Sequence, residues 1–272
     1  MSNPAAFTGS IPDTYHRCLG PLLFEPYAKD LTARLRGVKL PPNPHILELA
    51  CGTGIVTREL LSALPSAHIT ATDLNEAMLD IARKQLGPAA DPRLRFQQAD
   101  ACKLPFPDRS FDIIICQYGV MFFPDKPGAM REARRVLAPG GRYLFNIWDS
   151  LEHNPIAGVI QQSLDELFAP NPSRFLAQVP YGWFDLKTIE DTTRAGGFTA
   201  IKHDLLTLPS ESPSATDAAR GFLEGTPNFL AIRDRGITDF TPLRTTIADR
   251  LAGKFGKAPC RSTMRAYVVE AS

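Results

Sequence analysis

The stretch His45-Ile46-Leu47-Glu48-Leu49-Ala50-Cys51-Gly52-Thr53-Gly54 decides how the chain is read. Its first part, His45 to Ala50, is a short apolar run of strand length. A turn with two glycines follows, and Gly54 to about Leu64 reads as a helix. Glycines in such a turn let the backbone bend sharply and approach a ligand closely. The start of the following helix adds N–H groups that have no partner within the helix. Asp73 stands 21 residues after Gly52, at the end of a second strand, His68 to Thr72. In nucleotide-binding α/β sheets an acidic side chain at that place grips ribose hydroxyls.

The alternation of strand and helix continues outward. Asn75 to Leu86 reads as a helix with Ala77, Met78, Ile81 and Ala82 on one face, and Leu94 to Ala99 as a third strand. Phe111 to Gln117 is apolar almost throughout, as a strand buried on both faces should be. Met130, Ala133, Val136 and Leu137 mark a helix that stops at Pro139-Gly140-Gly141, and Arg142 to Trp148 is strand five. Short links and repeated alternation predict a parallel α/β sheet with right-handed crossovers. Before this region, prolines at 4, 12, 21 and 26 break up the chain and leave one helix near Tyr27 to Arg36. After it, Asn154 is a good N-cap with Pro155 at the first helical position, opening an amphipathic helix to Phe168. A helix from Asp185 to Gly196, a strand over Phe198 to Leu208, a mostly helical stretch from 209 to 258 and a final strand from Met264 to Glu270 complete the reading.

Composition narrows the function classes. The 272 residues are 44% hydrophobic and 22% charged, which excludes a disordered chain. Net charge is +1, so nothing pulls in a nucleic-acid backbone or an anionic membrane surface. Five cysteines (Cys18, Cys51, Cys102, Cys116, Cys260) without a C-x-x-C spacing fit a reducing compartment better than a disulfide framework, and no metal site is expected. Without a signal peptide or a membrane-length apolar run, the expectation is a cytoplasmic protein with no nucleic-acid partner and no integral membrane contact, as monomer or homodimer.

Two cofactor classes compete for the glycine turn. A dinucleotide site wants G-x-G-x-x-G, and aligned from Ala50 this chain puts Ile55 where the third glycine belongs. The spacing 50, 52, 54, with Glu48 two residues earlier, instead resembles motif I of the class I S-adenosylmethionine-dependent methyltransferases. Further segments resemble that family in order: Asp73-Leu74 its acidic motif II, Gln98-Ala99-Asp100-Ala101 with Leu104-Pro105-Phe106 its motif III, and Phe111 to Gln117 the strand before the transfer site. Glu132-x-x-Arg135-Val-Leu-x-Pro139-Gly-Gly141 resembles its turn before strand five, and Ala195-Gly196-Gly197-Phe198 the turn before strand six. Ala50 in place of the first glycine is the one departure. The resemblance implies a Rossmann-like, doubly wound, seven-stranded sheet, mostly parallel with an antiparallel last strand, plus a helical lid. It implies S-adenosyl-L-methionine as cofactor and S-adenosyl-L-homocysteine as product, held by Tyr15, Glu48, Ala50, Gly52, Gly54, Asp73, Leu74, Met78, Asp100, Ala101 and Gln117. Tyr15 enters because the chain most resembles the UbiE-like branch (methyltransferase type 11), in which an N-terminal tyrosine often covers the cofactor.

The methyl group of that cofactor is already activated, so positioning is most of what the protein must supply. Side chains for it are expected at the carboxyl ends of the strands. Tyr118 and His153 are the catalytic candidates, for positioning or as base; His16, Met121, Trp148 and Trp183 are candidates for the substrate pocket, which Phe184 helps to close. Cys51 and Cys116 are read as filling small buried volumes. The Asp/Asn-Pro-Pro-aromatic motif of amino-methylating DNA enzymes is absent, since Gln117-Tyr118-Gly119-Val120 stands there, and so is the paired-glutamate loop of protein arginine methyltransferases. The reading is methyl transfer by in-line displacement to an O, N, C or S atom of a small acceptor, apolar or aromatic. The alternative is an inactive methyltransferase-like binding or regulatory domain. The expected organisation is a helical cap over 1–40, a cofactor domain over 41–208 and 259–272, and inserted lid segments over 150–184 and 209–258.

Overall fold

The computed structural model describes residues 7, 9–87 and 91–272. Its helices are α1 (Ile11–Thr14), α2 (Glu25–Arg34), α3 (Ile55–Ala63), α4 (Glu76–Leu86), α5 (Lys126–Val136), α6 (Pro155–Leu167), α7 (Phe175–Gln178), α8 (Leu186–Ala195), α9 (Ala215–Glu224), α10 (Asn228–Arg233) and α11 (Thr241–Phe255). Its strands are β1 (His45–Glu48), β2 (His68–Asp73), β3 (Leu94–Gln98), β4 (Phe111–Gln117), β5 (Leu137–Trp148), β6 (Ile201–Ser212) and β7 (Cys260–Ala271). They form one sheet in the order β3-β2-β1-β4-β5-β7-β6. β1 runs parallel to β2 and β4, β2 to β3, and β4 to β5, while β7 is antiparallel to β5. This is the expected doubly wound sheet with its reversed last strand.

The chain divides into two compact units: 27–148, 183–206 and 266–272 in one, and 1–26, 149–182 and 207–265 in the other. The first holds the sheet. Its core is the middle of β1, β4 and β5, where Ile46, Leu47, Ile113, Ile114, Ile115, Cys116, Leu144, Phe145 and Ile147 have no exposed surface. β4 lies between β1 and β5 and is covered on both faces, which is why its sequence does not alternate. The second unit is mainly helical. Ile160 and Leu164 of α6, Ala218, Ala219 and Leu223 of α9, and Leu251 of α11 are fully buried there.

Several sequence expectations need correction. The region before residue 40 is helical almost throughout from Ile11 to Gly37, with a π-helical stretch over Tyr15–Phe24 and a 3-10 turn over Leu35–Gly37. Pro12 sits in the first turn of α1, where no N–H is required, while Pro21 and Pro26 fall inside the continuous helical run. Residues 27–40 go with the sheet, so the chain divides at Pro26 and not at residue 40; residues 1–6 and 8 of the expected cap lie outside the described residues. β5 begins at Leu137, not Arg142, because Pro139-Gly140-Gly141 is an irregularity inside the strand: the register steps from Phe111↔Leu137 to Ile113↔Arg142. A Cβ on Gly141 would lie 2.7 Å from the Asp112 carbonyl oxygen, so only glycine fits the approach. β6 and β7 also extend further than expected, to Ser212 and back to Cys260. Asn154 stands at the N-cap of α6, but its side chain does not cap the helix. It donates to the carbonyls of Asp149, Ser150 and Arg265 and accepts from the Arg265 N–H, tying α6 to the strand β7.

Candidate functional site

The glycine turn joins β1 to α3, and three side chains brace it. Asp73, the last residue of β2, accepts from the Gly52 N–H through Oδ2 at 2.9 Å and from the Asn75 N–H through Oδ1 at 2.8 Å. One carboxylate therefore fixes both the turn after β1 and the turn after β2. Thr57, in the first turn of α3, donates to Glu48 Oε2 at 2.6 Å, and Thr72 donates to the Glu48 carbonyl at 2.8 Å. Glu48 is 1% exposed. Burial pushes its carboxyl up to about 8, against the Thr57 hydrogen bond and with the Asp73 carboxylate adding to the rise. Burial raises Asp73 as well, opposed by its backbone N–H donors. Near neutral pH the buried Glu48 carboxyl is therefore mainly protonated.

The turn is shaped to take a ligand. Ala50, Gly52 and Gly54 have φ of 50°, 56° and 82°. A Cβ on Gly52 would meet nothing nearer than Met78 Cε at 3.9 Å, so the missing side chain leaves open space above the turn. A Cβ on Gly54 would lie 3.1 Å from Ala82 Cβ and 3.3 Å from Leu86 Cδ1. Gly54 is therefore the close-packing glycine of this turn, although Ile55 occupies the place where a dinucleotide motif puts it. Cys51 and Cys116 are buried, and burial drives both thiols up, Cys116 to about 12; they act as small core residues.

The loops at the other strand ends are also pinned. Asp100 follows β3, is exposed, and accepts from the Cys102 N–H; Ala101 beside it is buried. Arg135 of α5 uses all five guanidinium donors on Glu132, Asp108 and the carbonyls of Phe106 and Leu104, and Glu132 also accepts from the Leu104 N–H. The expected Glu-x-x-Arg pair is the clasp that holds the segment after β3. Leu74 is 48% exposed at the end of β2, and Met78 is buried on α4 below Gly52.

Past β4, Tyr118 has a φ of 52° and donates its N–H to Asn146 Oδ1 at 2.9 Å. Its ring stacks on Trp148 at 3.7 Å with planes 5° apart, and Tyr27 meets both rings edge-on at 5.5 and 5.7 Å. All three residues are buried, so the catalytic candidate Tyr118 and the pocket candidate Trp148 are packed on each other with Tyr27 edge-on to both. Gln117 is half-buried at the end of β4, and Met121 is buried in the following 3-10 turn. Trp183 lies over the Lys126 ammonium at 5.4 Å, at the start of α5, and Phe184 is 41% exposed.

The sheet unit thus brings together Glu48, Ala50, Gly52, Gly54, Asp73, Leu74, Met78, Asp100, Ala101, Gln117, Tyr118, Met121 and Trp148 along the carboxyl ends of its strands. Tyr15, His16 and His153 fall in the helical unit. Tyr15 stacks on Phe24 at 4.7 Å and opens the π-helical stretch, with His16 next to it. His153 Nδ1 lies 3.1 Å from Ser150 Oγ and 3.3 Å from Asp149 Oδ2, and Asp149 is shared with Arg265. The sequence reading missed Thr57, Tyr27 and Asn146. Asn146 left a signal, as the one non-aromatic polar residue in the run Tyr143 to Trp148. Among the described residues no cluster of His, Cys, Asp or Glu is placed to hold a metal ion, and no helix is long and apolar enough to cross a membrane.

Comparison with known proteins agrees with this geometry. Residues 46–141 match the family model described as "Methyltransferase domain". The demethylmenaquinone methyltransferase of Clavibacter sepedonicus is 33% identical over 184 residues, covering 64% of this chain and 74% of that protein. The ubiquinone/menaquinone biosynthesis C-methyltransferase UbiE of Ectopseudomonas mendocina is 36% identical over 146 residues, 52% of this chain and 55% of its own. Among solved structures, a phosphoethanolamine N-methyltransferase of Haemonchus contortus in complex with S-adenosyl-L-methionine superposes with a TM-score of 0.61 at 18% identity, over 96% of this chain and 56% of that one. The YcgJ protein from Bacillus subtilis gives 0.58 at 23% identity, over 89% and 96%. With a glycine turn braced by an acidic residue from β2, a reversed last strand and these relatives, the chain belongs to the class I S-adenosylmethionine-dependent methyltransferases.

Proposed function

We propose that residues 50–54, Asp73, Asp100, Ala101 and Gln117 hold S-adenosylmethionine, and that the methyl group passes to an electron-rich aromatic ring of a small acceptor. The observation that carries the cofactor assignment is the space above Gly52, bounded by the Asp73 carboxyl group that accepts the Gly52 N–H. Asp73 Oδ1 takes both the N–H and the side-chain amide of Asn75, while Oδ2 takes the Gly52 N–H and keeps a second lone pair, which suits a ribose hydroxyl. Exposed Leu74 offers apolar surface beside it, and Ala101 is buried in the loop after β3. Glu48 stays beneath the turn as a neutral acid and holds α3 through Thr57; it supports the cradle and does not face the ligand. When bound, the cofactor supplies a methyl group on a positive sulfur. What remains for the protein is to orient the two reactants and keep water from the sulfonium, and orientation of this kind supplies ~7–11 kcal/mol. The proton displaced from the methylated ring carbon leaves to solvent once the new bond has formed.

An aromatic acceptor is favoured by the Tyr27, Tyr118 and Trp148 cluster at the ends of β4 and β5, and by relatives named for demethylmenaquinone. The test is methyl transfer from labelled cofactor to a 2-prenyl-1,4-naphthoquinol, a catechol and a primary amine. Label in the aromatic compounds is expected. Label in the amine alone would overturn the acceptor class, and label in none of them would favour the inactive binding domain.

A further inference from the structure

Asn146 sits near the end of β5, opposite Gln117 in the parallel register with β4. It has no exposed surface. Its Oδ1 accepts from the Tyr118 N–H, while its Nδ2, also buried, has no hydrogen-bond partner among the described residues. A buried donor without a partner loses its water and gains nothing in return, so such groups are rare and call for a reason. Holding the Tyr118 N–H does not supply one. A threonine hydroxyl could accept that bond, and threonine suits a strand better than asparagine does. The carboxamide adds two donor hydrogens that the turn itself does not use.

Topology says which ligand would use them. The cofactor-holding ends are those of β1, β2 and β3 with Gln117 at the end of β4, and β5 lies beyond β4 from the other three. The Asn146 carboxamide reaches past the end of β4 to Tyr118, on the side of Gln117 away from the glycine turn. Two residues further along the same face, Trp148 carries the stacked Tyr118 ring. A group that arrives on this side belongs to the methyl acceptor, and a carboxamide N–H there selects for an oxygen lone pair.

We propose that Asn146 is a positioning and specificity residue of the transfer site: Oδ1 fixes the turn after β4, and Nδ2 is reserved for a hydroxyl or carbonyl oxygen on the acceptor ring. This rests on the aromatic-acceptor reading above. An oxygen held in this way sets the rotation of the ring in its plane and so decides which ring atom meets the methyl group. Acceptors of the same size without that oxygen leave the donor unsatisfied and are disfavoured, as expected for a site built around one hydrogen bond.

The test compares wild type with Asn146→Thr, using a 2-prenyl-1,4-naphthoquinol as acceptor. The variant is expected to keep the wild-type tryptophan fluorescence, which reports the Trp148 stack, and the wild-type affinity for S-adenosylhomocysteine. Its KM for the naphthoquinol should rise at least tenfold, with a smaller change in kcat. Unchanged KM and kcat would overturn the proposal, and so would a parallel loss of homocysteine-product affinity, which marks a purely structural role. If Asn146→Thr fails to fold, wild-type protein labelled with 15N-asparagine decides. The Asn146 side-chain amide should shift downfield when the naphthoquinol joins the product complex, and no shift overturns the proposal. A wild type that leaves the naphthoquinol unmethylated overturns the acceptor reading itself, and this use of the donor with it.

Discussion

The methyl of Ala50 occupies the space that a side chain on Gly119 would need: a Cβ built on Gly119 would lie 2.6 Å from it. The motif that this turn resembles has glycine where this chain has Ala50, at a φ of 50° that costs a residue with a Cβ about 1 kcal/mol. The two positions therefore share one volume. Gly119→Ala should lower the melting temperature by several degrees, and Ala50→Gly should be close to neutral, since relief of strain offsets the added freedom of the unfolded chain. The double variant should recover part of the loss, with Cys116 Sγ, also 2.6 Å from the built atom, accounting for the rest. Strictly additive effects would show that the two sites do not share space.

The buried Glu48 carboxyl makes stability depend on pH in a definite direction. Unfolded, a glutamate ionises near 4.5; folded, this one ionises at about 8. The folded state therefore holds its proton more tightly, and the stabilisation is complete below pH 4.5 and lost as pH rises toward 8. Glu48→Gln keeps an oxygen for Thr57 and removes the titration. Its melting temperature should fall less between pH 5 and 8.5 than that of the wild type. Equal slopes would show that Glu48 is already ionised in the folded protein.

Arg135 closes the segment after β3 with every donor it has. Arg135→Lys offers three donors on a single nitrogen and cannot span Glu132, Asp108 and two carbonyls at once. Hydrogen exchange over 104–110 should speed up in the lysine variant nearly as much as in Arg135→Ala. Wild-type protection in Arg135→Lys would mean that charge alone holds the segment.

The parts of the fold legible in the sequence are those ruled by local pattern. β1, β2, β3 and β4 begin at the expected residues because each apolar run is flanked by turn residues, and Asp73 lies where the second strand had to end. The start of β5 was hidden, because Pro139-Gly140-Gly141 reads as a stop although a register step absorbs it inside the strand. The cap role of Asn154 was misread because its amide finds better partners at Arg265, 111 residues away, than at its own helix start. In the site, Gly52 and Asp73 follow from spacing alone. The pairing of Asn146 with Tyr118 crosses from β5 to the end of β4, and the Tyr27 contact with both rings spans still more chain, so no local pattern announces either.

Asp73→Ala removes the brace on the Gly52 N–H together with the proposed acceptor for a ribose hydroxyl. A charge-assisted hydrogen bond is worth ~1.5–3 kcal/mol, so affinity for S-adenosylhomocysteine should fall at least tenfold. Asp73→Asn, which keeps one acceptor oxygen, should lie between the two. Binding equal to wild type in Asp73→Ala would remove Asp73 from the site.

The central claim is that the cofactor lies in the space left by the missing side chain of Gly52. Calorimetric titration of S-adenosylhomocysteine into wild type and Gly52→Ala tests it most directly. In the free protein the added methyl meets nothing closer than Met78 Cε, so the variant keeps its fold at a cost limited to backbone strain of about 1–2 kcal/mol. The wild type should bind one equivalent, and Gly52→Ala should bind at least tenfold more weakly at unchanged circular dichroism. Equal affinity in the two proteins would contradict the claim and place the cofactor elsewhere.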